Sequence, residues 1–224
     1  MRTLSDLINT AEPAMPMISG WIQDAGCPVE VLPCSVEDGE RALLAAQVTT
    51  RSPMGAICHA TGGILVDAGW LRILGAGCPR LPRALMAWNT GRVPFGQDGR
   101  PGFLLVADDV VSGFYAINGG GLPGAEPGHV AYLAPDTLRW EDLGMNYSQF
   151  LCWSWSGRME DYYGDQRWPG WRTDVARLDG AQVYGFYPFL WAAGPQLAAR
   201  HRAIVPVAEA WSLMVDMQRQ IRGT

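Results

Sequence analysis

The chain contains no lysine; all 17 of its basic residues are arginine. That removes the Schiff-base nucleophile and the lysine of a phosphate-binding loop, and with them aldolase-like, pyridoxal-type and Walker-type chemistry. Charge of either sign is thin, at 17% of residues against roughly 25% in ordinary soluble domains. So sparse a charged layer favours a buried interface or an oligomer. With a net charge of −5 and a pI near 5.1 there is no basic stripe to release counterions from phosphates, which excludes nucleic acid as a partner. No apolar run approaches the ~18 residues of a membrane span. Met1–Glu12 is polar and amphipathic, without the charged-then-apolar order of a signal peptide. The cysteines at 27, 34, 58, 78 and 152 are odd in number and scattered, which predicts reduced thiols in a cytoplasmic protein. What remains is ample for a core: 48% apolar residues in 224, read as a single domain over 1–224.

The first third reads helical. Thr3 or Ser5 caps a short helix through Thr10, Pro13 and Pro16 interrupt it, and Met17–Ala25 follows until Asp24-Ala-Gly26 stops it. Val29–Leu32 is strand-like. Ser35 caps a helix over Val36–Gln47, with Glu37 and Asp38 in the turn where the helix dipole favours them. In the middle third the period changes. Gly63–Val66 and Trp70–Leu74 form a hairpin across Asp67-Ala-Gly69, and Leu81–Trp88 reads as a brief helix. Phe103–Ala107 and Gly113–Asn118 then pair across Asp108-Asp-Val-Val-Ser112, with His129–Leu133 as a further strand. Short strands with tight polar links predict an antiparallel meander packed against N- and C-terminal helices, an α+β fold. The last third reads as helix-rich and aromatic. Ser148 caps Gln149–Trp155, Met159–Tyr163 looks helical, and Pro206 opens a final helix. Val207, Trp211, Met214, Val215 and Ile221 line one face of that helix, with Arg219 and Arg222 near its end.

No catalytic or metal motif stands out, and no cofactor is implied. There is neither a Gly-x-Ser-x-Gly elbow nor a His-Glu-x-x-His pair. Asp108-Asp109 invites a divalent cation or an acid–base pair. Neighbours at a strand end point to opposite faces, however, and turn formation alone accounts for the two aspartates. Cys58-His59 is too close in sequence for a dyad, and Cys27, Cys34, Cys58 and His59 lack zinc-knuckle spacing. Gly119–Gly121 lies between strands rather than before a helix, which fits a loop better than an anion nest. The aromatics are more unusual: 14 of 23 fall between Trp140 and Trp191. Phe150, Trp153, Trp155, Trp168 and Trp171, with Arg139, Arg167 and Arg172 beside them, form either a platform for a sugar or protein partner, or a core of large rings.

Several runs resemble a bacterial family, domain-of-unknown-function family 2625. They are Thr49-Thr-Arg-Ser52 through Thr61-Gly-Gly-Ile-Leu-Val-Asp67, Gly69-Trp-Leu-Arg-Ile-Leu-Gly75, Trp88-Asn89, Val106-Ala-Asp-Asp-Val110, Gly113-Phe-Tyr-Ala-Ile-Asn118, Ala134-Pro-Asp-Thr-Leu138, Tyr147-Ser-Gln-Phe-Leu151 and Arg167-Trp-Pro-Gly-Trp171. The likeness extends from about Ser5 to Gln218 and implies no activity. Shorter pieces, Leu104–Asp109, Phe114–Asn118, Gly128-His-Val130 and Ser148–Leu151, are similar to the SUKH superfamily. That likeness implies an α+β fold and non-enzymatic binding, including immunity proteins that neutralise toxins. The preferred expectation is therefore a non-catalytic protein whose partner is another protein, a toxin or a subunit, with a homodimer as a further reading. The alternative is a small-molecule or carbohydrate-binding protein or enzyme using Asp67, Asp108 and Asp109 with Arg72, and stacking on Trp70 or Trp88. The expected binding residues across these readings are Asp67, Trp70, Arg72, Trp88, Asn89, Asp108, Asp109, Asn118, Arg167, Trp168 and Trp171.

Overall fold

A computed structural model describes residues 1–96 and 99–222, the side chain of Arg222 apart. Runs of branched and aromatic residues in the middle of the chain form a seven-stranded antiparallel sheet in sequence order. Its strands are β1 (Val29–Leu32), β2 (Gly63–Val66), β3 (Leu71–Leu74), β4 (Phe103–Asp109), β5 (Phe114–Asn118), β6 (His129–Leu133) and β7 (Trp140–Asn146). The α+β class and the central meander are as the sequence predicts. β4 runs further than expected, so Asp108 and Asp109 belong to the strand rather than to the link after it.

β3 pairs with β4 only from Ile73↔Ala107 to Leu71↔Asp109. Where β3 gives out, Asn89 takes its place. It sits at the end of a short helix, α5 (Leu85–Asn89), and the helices before it, in chain order, are α1 (Leu4–Leu7), α2 (Met15–Gln23), α3 (Val36–Ala46) and α4 (Pro53–Ala60). The Asn89 amide accepts from the Leu105 N–H at 2.7 Å and donates to the Leu105 carbonyl at 2.8 Å, as a neighbouring strand would. Beside it the β4–β5 register shifts between Leu105 and Ala107. That bulge exchanges the faces on which alternate residues emerge.

After β7 come α6 (Tyr147–Trp155), α7 (Met159–Tyr163), α8 (Trp171–Val175), the strands β8 (Gln182–Tyr187) and β9 (His201–Pro206), and α9 (Val207–Arg222). One sheet face carries Tyr115 and Tyr132 against Phe150 of α6 and Tyr163 of α7. The other carries Phe103 and Phe114 against Trp211 of α9. Buried apolar residues form one cluster from Ala14 to Met214. Burying a large side chain in such a cluster stabilises by about 1.5–3 kcal/mol.

Several local expectations are corrected. Pro16 lies inside the first turn of α2 rather than before the helix, a place where no N–H is needed. Asn146, not Ser148, caps α6, in a reciprocal pair with Gln149. α4 has a readable start in Ser52, which accepts from the Gly55 N–H at 3.1 Å, followed by Pro53. α9 begins after Pro206, which instead closes β9, and its Ile221 is exposed rather than part of the buried face. The last third is not purely helical: β8 and β9 pair antiparallel throughout their length, from Gln182↔Pro206 to Tyr187↔His201.

Candidate functional site

The bulge beside Asn89 decides where the paired carboxylates go. Asp108 lies on the α9 side of the sheet and Asp109 on the α6 side, opposite faces as the strand geometry requires. Asp108 is fully buried. It receives Arg72 Nε at 2.6 Å and pairs also with Arg83, both arginines being buried as well. The same guanidiniums reach onward: Arg72 donates to the Gln182 carbonyl, and Arg83 Nε to the Gly180 carbonyl at 2.9 Å. Arg83 also lies 4.9 Å over the Trp88 ring. The triad thus clamps the start of β8 onto β3 and β4.

Asp109 is enclosed differently. Its Oδ1 accepts from the N–H groups of Val111 (3.0 Å) and Gly113 (2.7 Å), and its Oδ2 from the hydroxyls of Tyr132 (2.7 Å) and Tyr163 (2.8 Å). Tyr115 is hydrogen-bonded to Tyr163. Burial raises the Asp109 carboxyl above its ordinary value, against the lowering pull of the Tyr132, Gly113 and Tyr163 hydrogen bonds. Burial likewise pushes the hydroxyls of Tyr115, Tyr132 and Tyr163 well up, so they stay protonated as donors. Every group here has a partner and none reaches solvent.

The third carboxylate, Asp67, sits at the β2–β3 turn with φ +48°, followed by Ala68 at +59°. Arg167 Nη2 pairs with it at 2.6 Å and Arg172 at 3.2 Å. Arg167 lies over Trp70 and Trp171, and Trp168 donates its indole N–H to Asp174 at 2.7 Å. Trp70 meets Trp168 at a tilt and Trp171 edge-on. With Phe150 and Trp155 they are buried, so these rings form a core rather than an open platform. Asn118 organises the glycine loop, accepting from Gly120 and Leu122 N–H groups and donating to the Ala125 carbonyl.

The structure therefore gathers the expected binding residues into separate groups. Asp67, Trp70, Arg167, Trp168 and Trp171 share one, and Arg72, Asp108 and Trp88 are linked through Arg83. The side chains of Asp109, Asn89 and Asn118 each stand in their own hydrogen-bond set, and Arg72 reaches Asp109 only through its main-chain carbonyl, at 3.3 Å. Among the described residues no group of three His, Cys, Asp or Glu side chains is placed to hold a metal ion. Burial raises the Cys58 thiol to about 12, which keeps it protonated and inert.

Sequence reasoning missed the open surface. A groove of about 350 Å³ runs between the β8–β9 ribbon and α9. Ala203 and Val205 form one wall, Leu213 and Met214 of α9 the other, and the segment after β8 supplies Phe189 and Trp191. Those two rings stack at 4.5 Å. Arg200 holds their loop in shape by donating to the carbonyls of Pro188, Phe189, Ala192 and Pro195. Tyr187, Phe189 and Leu213, all exposed large apolar residues, line the groove, while Ile204, also exposed, emerges from the opposite face of the ribbon. The signal that could have found it is the run Tyr184-Gly-Phe-Tyr-Pro-Phe-Leu-Trp191, too apolar for a loop.

Comparison with known proteins shows the family. A family model described as a protein of unknown function, DUF2625, matches residues 4–210. The chain belongs to the DUF2625 family. It is 42% identical over 223 residues to the uncharacterised protein YbfG of Escherichia coli K12, covering 97% of this chain and 98% of that one. An uncharacterised protein of Haemophilus influenzae Rd is 43% identical over 191 residues, covering 85% of this chain and 83% of its own length. The DUF2625 match spans the sheet, the buried triad, the ribbon and the start of α9, so all of these belong to the family's region. Among the described residues no helix is long and apolar enough to cross a membrane.

Proposed function

We propose that this DUF2625 chain is a non-catalytic binding protein that takes a protein partner at the groove between the β8–β9 ribbon and α9. One contrast carries the reading. Asp67, Asp108 and Asp109 are enclosed by arginines, hydroxyls and main-chain donors, whereas the groove between the ribbon and α9 is open and lined by the exposed apolar side chains of Tyr187, Phe189 and Leu213. Buried charge of this kind fixes a fold; exposed aromatic and aliphatic clusters recognise other surfaces. The SUKH resemblance points the same way, toward proteins that act by covering a toxin or another subunit. A carbohydrate or small-molecule site built from the three carboxylates would need them in one cavity, and they lie in three separate enclosures.

The test is a photo-crosslinking residue placed at Leu213 in the groove, with Met17, exposed on α2, as the control position, in the native host. A protein adduct formed from position 213 and not from position 17 is the expected result. Equal labelling at both positions, or none at 213, would overturn the reading.

A further inference from the structure

We infer that the partner seated beside the groove is a second copy of this chain, joined edge to edge through β9 about a two-fold axis at Ala203. The inference rests on the binding reading above and names the partner.

The main-chain groups of β9 divide cleanly. Tyr184 of β8 turns both its groups away from β9, its N–H donating to the Val110 carbonyl and its carbonyl accepting from the Ser112 hydroxyl. Because Tyr184 sits opposite Ile204 and Phe186 opposite Arg202, those are non-hydrogen-bonded pairs of the ladder. The N–H and carbonyl groups of Arg202 and Ile204 consequently face outward, and among the described residues β9 borders no strand but β8.

The other free edges are guarded. β1 is short and carries Glu30, engaged by Arg80. β7 carries Glu141 and Asp142, and its register with β6 is broken. Charges and bulges of this kind are how sheets avoid edge-to-edge pairing. β9 lacks them: its one permanent charge, Arg202, is turned inward over Trp168 and onto Asp174, and Ile204 is 44% exposed beside it. The low overall charge of the chain agrees with a covered surface here.

The register follows from chemistry. An antiparallel pair must set outward-facing residues opposite one another. Placing Arg202 opposite its own copy crowds two long, like-charged side chains at the axis, and placing Ile204 opposite its own copy sets Pro206, which has no N–H, in the ladder. Placing Arg202 opposite the copy's Ile204 avoids both. It leaves Ala203 facing Ala203 at the axis, where a small side chain suits the closer non-hydrogen-bonded spacing. Each Arg202–Ile204 pair then exchanges two main-chain hydrogen bonds. The two ribbons form one continuous sheet with the two grooves side by side on the same face.

The experiment measures mass by light scattering on the full chain at about 100 µM, with wild type, Ile204→Pro and Ile204→Lys. Proline at 204 removes an N–H that the single chain does not use, an edge position where proline is tolerated, so the fold survives while the ladder is lost. Wild type is expected at twice 24.4 kDa and both variants at that single mass, with unchanged circular dichroism. Ala203→Cys in a Cys152→Ser background is expected to form a disulfide-linked dimer on mild oxidation, whereas Val31→Cys on β1 does not. A wild type that stays monomeric, or a dimer that survives Ile204→Pro, overturns the inference. If position 213 still captures a different protein while the chain is monomeric, this inference fails and the binding reading stands; a monomer that captures nothing there sinks both.

Discussion

Replacing Asp108 with alanine isolates the buried triad. The change leaves Arg72 and Arg83 in the interior without their counter-ion, Arg72 still aimed at the first carbonyl of β8 and Arg83 at the Gly180 carbonyl just before it. Breaking a buried pair from one side costs about 3–5 kcal/mol, a large share of the ~5–15 kcal/mol that holds a domain. At about 2–4 °C per kcal/mol for a domain of this size, the melting temperature falls by roughly 6–20 °C. Urea unfolding followed by tryptophan fluorescence gives the free energy. Hydrogen exchange at the β8 amides gives the local consequence, faster exchange as the ribbon loosens. A triple variant, Arg72→Met with Asp108→Leu and Arg83→Met, is expected to lose less than the sum of its single variants, since it leaves no unpaired charge behind. An Asp108→Ala protein within about 1 kcal/mol of wild type, with β8 exchange unchanged, would refute the view that this triad clamps the ribbon.

Three further outcomes follow from particular contacts. Ala68 sits at φ +59°, so Ala68→Gly is expected to raise stability by about 0.5–1 kcal/mol in urea melts; a loss would contradict the strained turn. A Cβ at Gly113 would lie 2.1 Å from the Tyr132 hydroxyl and 2.4 Å from Asp109 Oδ2, and Gly113→Ala is expected to cost about 1–3 kcal/mol or more by overpacking. Asp109 has its folded carboxyl raised above 3.8, first by burial. The folded state therefore binds its proton more tightly than the unfolded chain, and stability declines as pH climbs from 3.8 through the raised value. Asp109→Asn removes that decline, so its stability relative to wild type should grow with pH in urea series from pH 4 to 8; parallel curves would rule this out.

The meander was legible because its strands are runs of branched and aromatic residues, as in Phe103-Leu-Leu-Val-Ala and Phe114-Tyr-Ala-Ile-Asn118, broken by turn-forming residues. Ser35 was legible as a cap and accepts from the Asp38 N–H as expected. That Asp108 and Asp109 diverge was legible from strand geometry alone. β7 was not, because Trp140-Glu-Asp-Leu-Gly-Met-Asn146 does not alternate and turns at Gly144, φ +64°. Nor was the ribbon, whose strands are separated by residues 188–200 with Pro188 and Pro195 between them. The site was least legible. Reading for polar and aromatic types selects the residues that satisfy one another in an interior as readily as those that meet a ligand. Asp67, Arg72, Asp108 and Asp109 are buried by contacts spread over more than a hundred positions, such as Arg172 to Asp67, and no local pattern encodes that.

Contact at the C-terminal groove and chemistry at the buried carboxylates can be told apart in one experiment. Two variants separate these directly when each carries a photo-crosslinker at Phe189, on the groove's aromatic wall. Asp109→Asn removes a carboxylate and leaves the surface untouched; Leu213→Arg alters an exposed groove residue and leaves the core untouched. The Asp109→Asn protein is expected to form the same adduct as wild type while the Leu213→Arg protein loses it. Loss of the adduct in Asp109→Asn with retention in Leu213→Arg, both proteins being folded, would contradict a binding role for the groove.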